Sequence, residues 1–237
     1  GKAATNLALV GKTEGTNFTG SLLIGHATTG TLDAATYNTG VGIEALDALT
    51  SGDNNTALGR QALSVNDSGI ANTAIGVGSL SSVTSGRNNT AVGLNTLALT
   101  TGRNNIGIGY TAGDNITSGD GNVVIGTADV ASATADKQFS ISDAYSGSVV
   151  WMTGDSAAKL TFPGALQVSG AVTVGVDDTG LDVKLFGASA GAYMEWDESI
   201  DTLRIVGASA DATTSTGKLL LATSLTDINA NDVLGKI

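Results

Sequence analysis

Along the first half of the chain, aliphatic residues return at a fixed interval between polar and small ones. The phrases NTGVGIEAL from Asn38, NTALGRQAL from Asn55, NTAIGVGSL from Asn72, NTAVGLNTL from Asn89, NIGIGYTAG from Asn105 and NVVIGTADV from Asn122 are copies of one another, and SLLIGHATT from Ser21 is a degenerate first copy. Their anchoring glycines, Gly25, Gly42, Gly59, Gly76, Gly93, Gly109 and Gly126, are spaced by 17, 17, 17, 17, 16 and 17 residues. A fixed short period signals a stacked repeat. A two-helix repeat needs about 33 residues or more. A unit half that long suits one turn of a β-solenoid, with two short strands and two corners.

Within a repeat, Asn-Thr-Ala-φ-Gly reads as strand. The φ column is Ile24, Val41, Leu58, Ile75, Val92, Ile108 and Ile125, aliphatic throughout and mostly β-branched, a composition that favours a pleated strand. Side chains alternate across a strand, so φ shares one face with Thr39, Thr56, Thr73 and Thr90, and the Ala/Gly positions share the other. The φ column is expected to be the structural core column. A second apolar column is Leu46, Leu63, Leu80 and Leu97; a looser third is Leu49, Val65, Val83, Leu99 and Ile116. Ser51-Gly52, Ser68-Gly69, Ser85-Gly86, Thr101-Gly102 and Ser118-Gly119 recur before each strand as corner residues. Asn38, Asn55, Asn72, Asn89, Asn105 and Asn122 are expected to stack as an amide ladder, each side chain bonding its equivalent one coil along. Ordinary turn asparagines are the competing reading of the same column.

Beyond Gly126 the period is lost and aromatic residues gather: Phe139, Tyr145, Trp151, Phe162, Phe186, Tyr193 and Trp196. Alternation predicts strands over 138–142, 148–152, 160–162, 166–168, 172–176, 182–186, 192–196, 202–206 and 219–222. No long amphipathic helix is expected. The organisation expected is a lead-in over 1–20, a β-roll over 21–130, a connecting β segment over 131–170, a β module over 171–210 and the start of a tip module over 211–237. The chain opens Gly1-Lys2, carries no signal peptide, and stops at Ile237 in what reads as mid-strand, so it is expected to be a segment of a longer protein.

Each coil offers only a few aliphatic side chains, and apolar burial at about 25 cal/mol per Å2 leaves so thin a core marginal against chain entropy. Three chains wound together would share a core, so a trimer is expected from core size as well as from the resemblance that follows. Residues 21–127, with their Asn-Thr-Ala-φ-Gly repeat, resemble the YadA-like β-roll of trimeric autotransporter adhesin heads, and more closely the longer-period rolls of bacteriophage tail-fibre and spike proteins. VTVGVDDTGLDVKLFGASAGAYMEWDESIDTLRIVGA, from Val172 to Ala208, resembles a module of marine and cyanobacterial phage fibres whose usual form is GxDVxFFGATxGxYMxWDESxDxLxxxG. Leu185 stands here for the usual aromatic and Glu195 for the usual apolar residue. The stretch ATADKQFSIS…VVWMTGDSAAKLTFPGALQVSG resembles the link between roll and module, and the closing TDINANDVLGKI resembles the start of a tip module. The fold these features imply is all-β: a trimeric parallel β-roll or β-solenoid of 17-residue repeats, followed by an aromatic-richer β module.

Charge narrows the partners. The net charge is −11, −4 before residue 130 and −7 after it, with no basic patch, so no nucleic-acid partner is expected. There is no cysteine and a single histidine, His26, which excludes disulfides and a conventional zinc site. No apolar run reaches about 18 residues, so no membrane span is expected. Asp53, Asn54, Asn55, Asp114, Asp120 and Asn122 lack the calcium-roll nonapeptide. Gly40-Val41-Gly42 and Gly107-Ile108-Gly109 precede no helix and are not dinucleotide sites. The Thr column lacks the paired plane of an ice-binding array. His26 reads as a surface corner residue. Glu195 and Asp197 share a strand face, with Glu198 beside them, but side chains two apart on one strand point the same way and do not flank a glycosidic bond unless a second chain contributes; a hairpin turn over Asp197, Glu198, Ser199 and Asp201, with Trp196 filling the trimer core, is the plainer reading.

No catalytic, metal or cofactor site is therefore expected, and no enzyme. The resemblance implies a structural segment of a homotrimeric phage fibre or spike on the virion, which carries or forms a host receptor-binding tip. Its partners would be two further copies, other virion proteins at one end and a host receptor or glycan at the other. The alternatives are a trimeric adhesin head on a bacterial cell surface and, less favoured, a polysaccharide depolymerase.

Overall fold

A computed structural model describes residues 11–13, 15–25, 29–169, 172, 174, 183–186, 192–197, 199–200 and 202–206. All regular structure among them is β. The chain divides between Leu166 and Gln167 into two compact units.

The first unit is a parallel β-solenoid. Its strands are β1 (Gly11–Thr13), β2 (Leu22–Ile24), β3 (Thr39–Val41), β4 (Thr56–Leu58), β5 (Thr73–Ile75), β6 (Thr90–Val92), β7 (Ile106–Ile108), β8 (Val123–Ile125), β9 (Phe139–Ser142), β10 (Val150–Gly154) and β11 (Leu160–Thr161). They form one sheet in sequence order. From β2 to β9 every neighbour is parallel, and equivalent residues face each other: Thr56 opposite Thr73, Ala57 opposite Ala74, Leu58 opposite Ile75. β1 pairs antiparallel with β2, and β9, β10 and β11 close the other end as an antiparallel meander. Strand β9 keeps the coil register beyond the last copy of the phrase, so the roll runs past residue 130, and much of the expected connecting segment is continuous with it.

Alternation within each strand has the opposite sense to the one expected. The inward column is Leu23, Gly40, Ala57, Ala74, Ala91, Gly107 and Val124, all buried. Ile24, Val41, Leu58, Ile75, Val92, Ile108 and Ile125 face outward; Leu58 is 47% and Ile108 43% exposed, so they are not the core of the single chain. The reason is width. The wall opposite the strand places Leu46, Leu63, Leu80 and Leu97 fully inside, and they reach the strand's middle position: a Cβ built on Gly40 would lie 3.3 Å from Cδ1 of Leu46. Only a small residue fits there. Where the column carries Leu23 or Val124, the adjoining coil has Gly40 or Gly107.

The third column keeps strict period and thereby departs from the hydrophobic reading. Its buried members are Leu49, Asn66, Val83, Thr100 and Ile116, while Val65 and Leu99 lie exposed. Asn66 donates from Nδ2 to Gly69 O at 3.3 Å, and its buried Oδ1 has no partner.

The core leucines turn inward by adopting left-handed backbone: Leu46, Leu63, Leu80 and Leu97 have φ between 50° and 58°. A non-glycine residue pays roughly 1–2 kcal/mol for this, offset by coil-to-coil hydrogen bonds such as Leu46 N to Ala62 O and Leu63 N to Ser79 O. The anchoring glycines are tighter still. Gly76 has φ 131°, and a Cβ there would run into Gly93 of the next coil.

The second unit contains an antiparallel meander of β12 (Val183–Phe186), β13 (Tyr193–Asp197) and β14 (Thr202–Val206). No strand forms over 166–168. The strand expected over 172–176 falls mostly, and that over 219–222 wholly, outside the described residues.

Candidate interaction surface

The asparagine column lies inside the solenoid corner, and Asn38, Asn55, Asn72, Asn89, Asn105 and Asn122 are all fully buried. Asn72 shows the full pattern. Asn72 donates from its backbone N–H to Asn55 Oδ1 at 3.0 Å and from Nδ2 to the same oxygen at 3.2 Å. Its Nδ2 also donates to Gly86 O at 2.9 Å. Its own Oδ1 accepts the N–H of Asn89 at 3.0 Å and its Nδ2 at 3.1 Å. The amide therefore satisfies a buried corner that no apolar side chain can serve. Two rungs were not legible as members of the column because their residue types differ. Ser21 Oγ accepts from Asn38 N at 2.8 Å, and Gln138 donates from N and Nε2 to Asn122 Oδ1 at 2.8 and 3.3 Å. Their spacing from the nearest asparagine, 17 and 16 residues, is the signal that marks them.

The ladder leaves the strand face of the solenoid as its outstanding surface. In register, that face carries Leu22 and Ile24, Thr39 and Val41, Thr56 and Leu58, Thr73 and Ile75, Thr90 and Val92, Ile106 and Ile108, and Val123 and Ile125. Half-buried Phe139 and Ile141 extend it. No residue of it is charged, in a chain of net charge −11. Beyond the strand ends, Ile43, Val77, Leu94 and Tyr110 are exposed as well. An uncharged face of this length with a partly exposed aliphatic column is the candidate interaction surface of the single chain.

The candidate carboxylates of the second unit are engaged elsewhere. Glu195 is directly opposite Lys184 on one side and Arg204 on the other. Lys184 Nζ lies 3.0 Å from Glu195 Oε1, and Arg204 Nη1 lies 3.3 Å from Oε2 and 3.7 Å from Asp197 Oδ2. Ser199 Oγ donates to Asp197 Oδ1 at 2.6 Å. Lys184 Nζ sits 3.6 Å above the ring of Tyr193. The pairing joins three strands. Glu198, Asp201 and His26 lie outside the described residues.

Two other features of the first unit bear on chemistry. A cavity of about 160 Å3 near β9–β11 is lined by Asp129, Ser140, Thr153, Asp155, Lys159 and Thr161, among others. The carboxyl of Asp114 is held above the ordinary aspartate range, first by burial and then by the neighbouring Asp129. Among the described residues no cluster of three or more His, Cys, Asp or Glu is arranged for a metal ion, and no helix is long and apolar enough to cross a membrane. No protein-family model, no curated protein and no solved structure matches the chain.

Proposed function

We propose that this chain is a structural segment of a homotrimeric phage fibre or spike, a parallel β-solenoid shaft that carries or forms a host receptor-binding tip on the virion. The observation that carries the reading is the uncharged aliphatic strand face, from Ile24 to Ile125, left outside the single chain's core. Copies of a chain with net charge −11 repel one another except where charge is absent. A parallel, in-register trimer buries that face against two others, and burial of each exposed aliphatic side chain contributes about 1.5–3 kcal/mol at most. The repeat and module resemblances support a phage fibre in particular. The work is mechanical, with no catalytic step assigned: Glu195 and Asp197 serve as cross-strand ion partners.

Light scattering on the intact protein tests this. The expected mass is about 70 kDa, three times the 23.4 kDa chain. Ile75→Asp, which sets an unpaired carboxylate in each buried face at a cost of several kcal/mol, is expected to abolish assembly. A stable folded monomer from the unmodified chain would overturn the proposal.

A further inference from the structure

The three-stranded sheet of the second unit has two chemically different faces. Register places Lys184, Phe186, Tyr193, Glu195, Asp197, Thr202, Arg204 and Val206 on one. The charged members of that face are joined to one another by the ion pairs described above. The other face carries Val183, Leu185, Met194, Trp196, Leu203 and Ile205, none of them charged. Leu185 is 56% exposed, Leu203 53%, Trp196 42% and Met194 41%. Among the described residues of this unit the one buried side chain is Glu195. A sheet with an apolar face buries it against another layer, and here Glu195 is buried between its cation partners while Leu185, Met194, Trp196 and Leu203 lie open.

We infer that this face is a second trimer interface, covered by the same face of two further copies around a three-fold axis, with Met194 and Trp196 inside and the Lys184–Glu195–Arg204 cluster outside. The occupant is argued from charge and continuity. The second half of the chain carries −7 of the net charge, and this face is free of it, so it is self-complementary where the rest of the surface repels a copy. The shaft proposed above already brings three copies of this sheet together on the same polypeptides, which raises their effective concentration without any further contact. The inference rests on that reading, and the experiment separates the two.

Because the chain has no cysteine, single-cysteine variants of the full chain report contacts cleanly. Met194→Cys and Leu203→Cys probe the apolar face, Lys184→Cys the opposite face, and Ile75→Cys the solenoid. Each is treated with a bismaleimide whose spacer spans the roughly 10 Å between face-to-face sheets and run on a denaturing gel. The inference expects inter-chain linkage at Met194 and Leu203, at least tenfold above Lys184, alongside linkage at Ile75. Linkage at Ile75 without linkage at either apolar-face position overturns this inference and leaves the shaft standing. Absence of linkage at all positions, with a monomeric mass, overturns both. A second readout does not depend on the cysteine variants folding. In Trp151→Phe, Trp196 is the sole tryptophan, and its quenching by acrylamide is expected to be at least threefold weaker than that of free tryptophan amide. Unprotected Trp196 in an intact trimer overturns the inference. Protected Trp196 without linkage assigns the face to the chain's own remaining segment or to an unrelated protein, and also overturns it.

Discussion

In the solenoid a column of buried neutral amides repeats from coil to coil; among the described residues of the three-stranded sheet the buried polar group is a single carboxylate between two cations. Asn72 gives and receives hydrogen bonds with the rungs on both sides, so each rung specifies the next and the arrangement propagates at any length. Glu195 is held by Lys184 and Arg204 within one layer of one sheet, so it sets the register of three strands and nothing beyond. A ladder suits a stacked repeat, whose stability is a sum over equivalent neighbours. The difference also predicts losses of different size on substitution and a different dependence on salt.

The largest effect is expected where the solenoid is tightest. Gly76→Ala adds a Cβ at φ 131° that meets the backbone of Gly93. Backbone strain and overpacking together are expected to cost about 3 kcal/mol or more and to appear as a large drop in the solenoid's melting temperature. Gly164→Ala, at a position with open space around the added atom, is expected to leave melting unchanged. Equal behaviour of the two variants would mean that coil stacking tolerates a side chain at the glycine column.

The contrast between amide and ion is sharpened by salt. Asn72→Ala leaves the N–H of Asn89 without its acceptor in a buried corner, an expected loss of roughly 1–3 kcal/mol. Glu195→Gln acts on partners whose side chains are 34% and 46% exposed, so its expected cost is smaller, about 1 kcal/mol or less at low salt. Denaturant titrations in dilute buffer and at about 1 M salt, where the screening length falls to about 3 Å, separate them. The Asn72 loss is expected to persist and the Glu195 loss to vanish. An Asn72 effect that shrinks with salt would break the comparison.

The smallest effect is a pH signature within the solenoid unit. Asp114 has its carboxyl raised above 3.8 by burial and by Asp129, so the folded state holds its proton more tightly than the unfolded one. The native state therefore gains stability as pH falls from neutrality through the raised value to about 3.8, and lacks it at neutral pH. Asp143 is shifted the other way, lowered chiefly by the backbone N–H of Ser146, so its contribution is present above 3.8 and lost as pH falls through the lowered value. Acidification is thus expected to bring a slight rise in melting temperature and then a fall. Asp114→Asn is expected to remove the rise and to melt slightly higher than the unmodified chain at neutral pH. A variant that keeps the rise would place its origin elsewhere.

Much of this molecule was legible from its repeat. The period identified a solenoid, and the strands fall on the Asn-Thr-Ala-φ-Gly phrase, with Thr56–Leu58 and Thr73–Ile75 as examples. Alternation likewise marked 182–186, 192–196 and 202–206, close to the strands that form. The ends of the amide ladder were less legible: Ser21 and Gln138 do the work of asparagine with other chemistry, and only the spacing betrays them. In the third column period governs rather than hydrophobicity, so Asn66 and Thr100 occupy the interior and Val65 and Leu99 lie outside.

A period of two divides a strand into faces without saying which face turns inward, and that choice belonged to the tertiary structure. Ala57 and Ala74 are inside, and Leu58 and Ile75 outside, because Leu63 and Leu80 on the opposite wall already fill the narrow coil. The residues that look most like core are left on the surface by a coil too thin to hold them. In the same way, Lys184, Glu195 and Arg204 are scattered charges in the sequence, and only the register of β12, β13 and β14 sets them side by side. What the sequence alone determined is what depends on neighbours along the chain and on exact repetition: the coil length, the strand positions and the ladder's chemistry. What the fold decided is what depends on volume and on contacts across strands, which no single coil or strand contains by itself.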